Sequence, residues 1–303
     1  MSIRKYIAYL RTVETGSITQ TAQELGYTQS AVSKMIADLE NEWQVKLLTR
    51  SRSGIELTSE GTALLPSIQA VVKEYRDLGF AVSELHGIRS GLLRIGCFTS
   101  LSTSVLPNIL KTFHERYPNI RIQLFNGEYT DIANWLRRGT VDCGFLALPS
   151  PGDLETHFLL RDSFVAILPE GHPMTNAPCF PVERLSQENY IKLNEAPDYE
   201  IDKFIDDLPC KPNVAYEATN DFALLAMVEC GLGISIVHDL ILHPQHYRVV
   251  RLPLDITQTR DVGISIKKDV VPSSITKLFI EHVLSFKDHF LFIDPNADKN
   301  AGP

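Results

Sequence analysis

The stretch that decides the fold is Leu25–Glu40, "LGYTQSAVSKMIADLE". Ala31, Met35, Ile36 and Leu39 recur at helical spacing and gather on one side of a predicted helix. Thr28 stands where an N-cap belongs. Gln29, Ser30, Ser33 and Lys34 crowd the first turns on the other side. A merely solvated face would carry more Glu and Lys, which are better helix formers. Gln can bond bidentately to adenine, Ser to several bases or to phosphate, and Lys to guanine or backbone. These residue types therefore suit the edges of bases in a major groove.

The flanking sequence supports that reading. A first helix is predicted over Ile3–Thr15, with Ile7, Leu10, Val13 and Tyr6 inward. "TGSITQTAQELG" gives a turn at Gly16, a capping box of Ser17 with Gln20, and a second helix closed by Gly26. Two helices joined by a tight turn, the second polar at its tip, make a helix-turn-helix. Downstream, "LLTRSRSGIELT" (Leu47–Thr58) places turn residues at Ser51–Gly54 between two apolar ends. That pattern predicts a β-hairpin wing carrying Arg50 and Arg52, well placed for phosphate or the minor groove.

The run "GSITQTAQELGYTQSAVSKMIADLENEWQVKLLTR…GIELTSEGTALL" resembles the LysR-type transcriptional regulators over most of residues 3–65. The elements "Q-S-A-V-S", "I..LE", "L-L-T-R" and "LT..G" fall in the family's order and spacing. This chain departs from the family's usual pattern at Thr21-Ala22, at Gln44 where glycine is usual, and at Leu47-Leu48. The resemblance implies a DNA-binding regulator rather than an enzyme, with Thr28, Gln29, Ser30, Ser33, Lys34, Arg50 and Arg52 at the DNA.

A long helix is predicted from Thr58 to about Gly87. Leu64, Ile68, Val71, Tyr75, Leu78, Val82 and Leu85 alternate steps of four and three, a heptad seam for pairing with a second copy. A two-fold dimer matches the two half-sites that helix-turn-helix proteins read. Pro66 should bend or fray the first turns. "GIRSG" (Gly87–Gly91) reads as a hinge.

From Leu92 the texture changes to short apolar runs at 92–98, 120–125, 141–148, 162–169, 190–193, 213–218 and 231–237, with helical stretches between them and a final helix over Ser273–Lys287. The alternation implies an α/β fold with a parallel sheet. This part resembles the effector-binding portion of the same family, which has the two-lobed fold of periplasmic solute-binding proteins. The expected organisation is a winged helix-turn-helix at 1–58, a linker and dimerisation helix with its hinge at 59–90, and an effector-binding domain at 91–303. Lobe I would take about 91–161 and 266–290, and lobe II about 162–265. The chain is expected to cross between lobes near Arg161–Asp162 and Asp261–Ile266. His238 stands where the family commonly has proline.

Ligands of open α/β sheets bind outside the carboxyl ends of strands, where helix N-termini point. Thr99, Ser100 and Ser102 follow the first strand, Thr130 lies at a second helix start, and Thr219 and Asn220 precede a third. The resemblance puts Thr99, Ser100 and Asn220 on opposite walls of one uncharged cleft, suited to a small polar or carboxylate-bearing metabolite. No arginine adjoins these residues in sequence to clamp a carboxylate.

Composition narrows the classes. The 303 residues are 44 % hydrophobic and 22 % charged, as in ordinary soluble proteins, and no apolar run is long enough to span a bilayer. The net charge of −8 falls entirely on residues 91–303, which hold 19 Lys and Arg against 27 Asp and Glu, so residues 1–90 are relatively basic. The N-terminus lacks the apolar core of a signal peptide, and the five cysteines show no CxxC, so a reduced, cytoplasmic protein is expected. His243 and His246 flank Pro244 with no third ligand near and read as a surface loop, so no metal is expected. Cys179 and Cys210 could form an oxidation-sensing pair only if the fold brings them together. No nucleophile–base set, Walker or dinucleotide motif appears, so no cofactor is expected. The partners expected are double-stranded DNA, a small effector and the chain itself, as a dimer or dimer of dimers, with no membrane. The rival reading is a cytoplasmic solute-binding module or enzyme on the same two-lobed fold.

Overall fold

The structure is a computed structural model that describes residues 2–51, 54–85, 90–194, 200–243 and 247–287. Arg52, residues 87–89 of the expected hinge, His246 and the C-terminal tail lie outside them, as do the side chains of Arg50 and Leu85. The chain divides into two compact units, Met1–Ser90 with Arg137–Thr140, and Gly91–Leu136 with Val141–Pro303.

In the first unit, α1 (Ile3–Thr15), α2 (Ile18–Leu25) and α3 (Gln29–Trp43) precede a hairpin of β1 (Leu48–Ser51) and β2 (Gly54–Leu57), then the long α4 (Ser59–Leu85). The unit is a winged helix-turn-helix with a long helix behind it. Ser17 caps α2 by accepting from the Gln20 N–H at 3.3 Å. The box is only half made, because the Gln20 side chain donates instead to Glu24 and the Thr15 hydroxyl takes the Ser17 N–H. Gly26 ends α2 in the left-handed conformation, φ 69°.

The buried faces are rotated from those expected. In α3 the buried residues are Val32, Ile36, Leu39 and Glu40, while Ala31 and Met35 are half-buried. In α1 they are Tyr6, Ala8, Tyr9 and Thr12, with Ile7, Leu10 and Val13 half-buried at the edge. The reason is that α3 packs on both α1 and α2, so the inward stripe follows the line between those two neighbours. Helix α4 runs through Pro66 without interruption. Ile68 and Val72 are buried with Tyr9, Leu39 and Leu47, and Leu64 packs against the same cluster. The first two positions of the heptad seam are therefore spent inside their own unit, which corrects the expectation for Leu64 and Ile68.

In the second unit, β3 (Gly91–Cys97), the five-residue α5 (Thr99–Thr103), α6 (Leu106–Arg116), β4 (Ile120–Asn126), α7 (Tyr129–Arg138) and β5 (Cys143–Leu148) come first. They are followed by β6 (Leu154–Pro169), β7 (Asn189–Leu193), α8 (Glu200–Asp207), β8 (Asn213–Ala218), α9 (Asp221–Glu229), β9 (Ser235–His238), β10 (Val249–Pro253), β11 (Thr259–Lys267) and α10 (Ser274–Ser285). The main sheet runs β10-β6-β11-β5-β3-β4, with β9 also on β6. It is mixed, not parallel. β3 pairs in parallel with β4 and β5, but β11 is antiparallel to both β5 and β6, and β6 to β9 and β10. β5 and β6 run in the same direction on either side of β11, which enters between them from late in the chain and supplies the antiparallel pairing to both. The segment of residues 162–169 is thus the second half of a sixteen-residue strand, not a strand of its own.

The cores lie at the two ends of this sheet. One end buries Phe113 edge-on to Phe279 at 5.1 Å, with Leu93, Ile95 and Phe145 from the strands. The other gathers Phe164–Leu168, Phe180, Tyr190, Leu224 and Val228. Both stretches at which crossings are expected lie inside β6 and β11, where Asp162 stands directly opposite Arg260.

Candidate DNA-reading helix and effector cleft

At the start of α3, Thr28 accepts from the Ala31 N–H at 3.2 Å and so is occupied as the N-cap. Gln29, Ser30 and Lys34 are exposed and Ser33 is half-buried, on the side away from Val32, Ile36 and Leu39. The short polar groups that can reach a base edge are therefore held on a helix whose other face is fixed in the core.

The far end of α3 carries a group that sequence reasoning passed over as part of a motif. Glu40 is buried, and its Oε1 accepts the N–H of Leu47 at 2.9 Å and of Leu48 at 3.2 Å, while Lys46 donates to Oε2 at 2.6 Å. Burial alone would push this carboxyl up, but Lys46 and the two N–H groups outweigh it and hold it below its ordinary value. One side chain thus ties the end of α3 to the start of the wing. Beneath it, Tyr9 donates to the Gly61 carbonyl at 3.1 Å, and burial followed by the Glu40 charge pushes its hydroxyl up to about 12. Gly61 has to be glycine, since a Cβ there would stand 2.1 Å from the Leu47 carbonyl oxygen. At the turn between α3 and the wing, Gln44 takes the left-handed conformation (φ 55°) usual for glycine, and its amide bonds the Asn41 carbonyl at 2.7 Å.

Beyond Ile68 the seam on α4 emerges. Val71, Tyr75, Leu78 and Val82 are all exposed, Leu78 by 62 %.

In the second unit, a cavity opens between the α5 and α7 starts on one side and the start of α9, His238 and Ile241 on the other. Thr99 and Ser100 are among the residues that line it. Ser102, Thr130, Thr219 and Asn220 are not among its lining residues. The Ser102 hydroxyl donates to the Thr99 carbonyl, Thr130 and Thr219 are exposed, and Asn220 caps α9 by accepting from the Ala223 N–H at 2.9 Å. Their immediate neighbours Tyr129 and Asp221 face the cavity instead. The short α5 begins after Phe98 with no side-chain cap.

The cleft is not uncharged. Arg260 is buried and donates through Nε and Nη2 to Asp162 at 3.0 and 2.7 Å, through Nη2 to the Ser100 hydroxyl at 2.7 Å, and through Nη1 to the Tyr129 hydroxyl at 2.6 Å. It lies over the Phe98 ring at 4.8 Å. Asp162, fully buried, also accepts the Leu240 N–H at 3.0 Å. Burial pushes its carboxyl up while Arg260 pulls it down, and the two charges offset each other. His238 is held well below its ordinary pKa by burial and by Arg260, so it is neutral. Two carboxylates remain at the mouth. Burial, then Asp221 and Asp131, raises Glu128, and burial raises Asp221 against the pull of Arg260. Glu200 is raised by burial as well.

Sequence reasoning missed Arg260 and Asp162 because they are 98 residues apart and meet only through strand register. The available signal was an ionisable residue inside an apolar strand run, which is rarely buried unless paired.

Comparison with known proteins accounts for both units. Residues 3–62 match the family described as "Bacterial regulatory helix-turn-helix protein, lysR family", and residues 86–287 match the "LysR substrate binding domain". The chain belongs to the LysR family of transcriptional regulators. Among its relatives is the probable HTH-type transcriptional regulator LrrA of Synechococcus elongatus, 32 % identical over 88 % of this regulator and 90 % of LrrA. The fold matches full-length CbnR in complex with its target DNA, with a TM-score of 0.67, 19 % identity, and coverage of 93 % of this chain and 99 % of CbnR. It also matches the effector-binding domain of QuiR in complex with shikimate, with a TM-score of 0.60, 20 % identity, and coverage of 67 % of this chain and all of that domain. Among the described residues, no helix of the regulator is long and apolar enough to cross a membrane.

Proposed function

We propose that this LysR-type regulator reads its operator with the first turns of α3 and is switched by a small polar metabolite bound between the two lobes of its effector domain, 91–161 with 266–290 and 162–265. Gln29, Ser30, Ser33 and Lys34 meet base edges, Thr28 sets the helix start, and Arg50 and Arg52 on the wing follow the phosphates. A dimer forms through the exposed part of the α4 seam, Val71, Tyr75, Leu78 and Val82, continued by Leu85, and two dimers can join on one operator. The protein works in the cytoplasm. Ligand contacts fall to Thr99 and Ser100 on one wall and to Asp221 and His238 on the other. A ligand that touches both walls favours one lobe arrangement by its difference in affinity for the two, and that difference reaches the DNA through the linker.

The observation that carries this reading is the polar, exposed tip of α3 set on a helix whose other face is locked into the core. The test is binding of the full chain to random duplex DNA and to a sequence selected from a random pool, across salt. Binding to random duplex should weaken linearly in log–log form as salt rises, by about 0.9 per phosphate neutralised. The selected sequence should bind at least about a thousandfold more tightly. A chain that selects no sequence would contradict the proposal.

A further inference from the structure

The charges around the effector cleft bear on what can enter it. The buried cation there, Arg260, is engaged by Asp162, Ser100 and Tyr129. Presenting it to an incoming carboxylate means giving up hydrogen bonds to a carboxylate and two hydroxyls already in place. Helix N-termini are the other usual seats for an anion. Here they carry the chain's own carboxylates. Asp221 is the first residue of α9, and Glu128 directly precedes α7 with Asp131 in its first turn. Glu128 and Asp221 face one cavity from its two sides, and both are half-buried at its mouth. With Arg260 and Asp162 offsetting each other and His238 neutral, the lining presents a net negative charge.

We propose that the effector of this regulator carries a cationic head, an ammonium group, seated between Glu128 of one lobe and Asp221 of the other. This rests on the cleft being the effector site. Two carboxylates that face each other across a cleft repel, so the empty site resists closure, and a cation between them reverses the sign. Binding and lobe closure are thereby coupled through the same two side chains. Thr99 and Ser100 supply hydroxyl oxygens that can accept from the same head.

The experiment is a thermal shift titration of the full chain with n-butylammonium chloride and with sodium butyrate, probes of equal length and opposite charge, at matched ionic strength. The butylammonium salt should raise the Tm saturably and the butyrate should not. Asp221→Asn and Glu128→Gln should each weaken the apparent butylammonium affinity at least tenfold, and calorimetric titration of the same variants should give the same loss. A saturable response to butyrate that Ser100→Ala abolishes would leave the cleft as the effector site and overturn the cation. A butylammonium response unchanged in Asp221→Asn, Glu128→Gln and Ser100→Ala alike would place binding elsewhere and overturn both. No response to either probe would overturn the cation.

Discussion

At the tip of α3 the groups available for recognition are those left outside. Gln29, Ser30 and Lys34 stand in solvent, and the core behind them is apolar. In the cavity of the second unit the arrangement is inverted. Arg260, Asp162, His238 and Ser100 are buried, and Arg260, Asp162 and Ser100 are hydrogen-bonded to groups from distant parts of the chain. The difference follows from the ligand each surface is suited to meet. DNA is large and brings its own charge, so a protruding polar helix and a cationic wing suffice. A small molecule has to be surrounded, and the surrounding groups have to be paired among themselves while the cleft is empty. An exposed surface of this kind tolerates substitution without loss of stability, whereas a buried network does not.

The largest effect should come from breaking the buried pair. Arg260→Met removes the partner of a fully buried carboxylate and should destabilise the effector unit by about 3–5 kcal/mol. Chemical denaturation of the full chain should show an early transition that random-duplex DNA binding does not follow. If the variant unfolds at the wild-type midpoint, the network is not what holds the cleft.

The next largest belongs to the first unit and concerns the buried carboxylate of Glu40. Glu40→Ala leaves the N–H groups of Leu47 and Leu48 without their acceptor, at a cost of about 1–3 kcal/mol for each group so orphaned. Glu40→Gln retains an oxygen acceptor for both and should recover most of the loss. Equal destabilisation in the two variants would show that the Lys46 ion pair, rather than the tie to the wing, is what matters.

This contrast also explains what was legible in the sequence. Helix α3, its cap, the wing and the long helix are local patterns of caps, turns and periodicity, and their elements fall where those patterns put them. Which face of α1 and α3 turns inward was not legible, because that depends on the direction of neighbouring helices and not on spacing alone. The seam on α4 shows the same limit. Its heptad spacing is real, yet Leu64 and Ile68 face their own core because α1 and α3 lie against that end of the helix. In the cleft, Thr99 and Ser100 were legible as a polar loop after a strand. Arg260, Asp162 and His238 were not, since they converge from β11, β6 and β9 through sheet register.

Acidity should separate the two regions further. Buried His238 is neutral, edge-on to Phe164 and near Arg260 and Glu200, with its folded pKa well below the ordinary value. The unfolded chain takes up a proton there as pH falls below about 6.5 and the folded chain does not, so this group costs stability in that direction, by up to about 1.4 kcal/mol per pH unit. Glu128 and Asp221, raised in the folded chain, act oppositely. The stability difference between the wild type and His238→Leu should therefore be constant above pH 7 and change steadily between about pH 6.5 and 5. A constant difference throughout would mean that His238 takes up its proton over the same pH range in the folded chain as in the unfolded one.

The smallest effect is at Gln44, which bears the strain of a left-handed backbone. Gln44→Gly should relieve about 0.5–1 kcal/mol, less whatever its bond to Asn41 contributes. A rise of a few degrees in the Tm of the first unit would show it, and a fall would mean that the Asn41 bond outweighs the backbone strain.

Sequence reading by the tip of α3 is measured most directly by the ratio of selected-site to random-duplex affinity for the wild type and Gln29→Ala at one salt concentration. The ratio should fall by the equivalent of about 1–3 kcal/mol while random-duplex affinity stays nearly constant. An unchanged ratio would mean that this helix does not read sequence through Gln29.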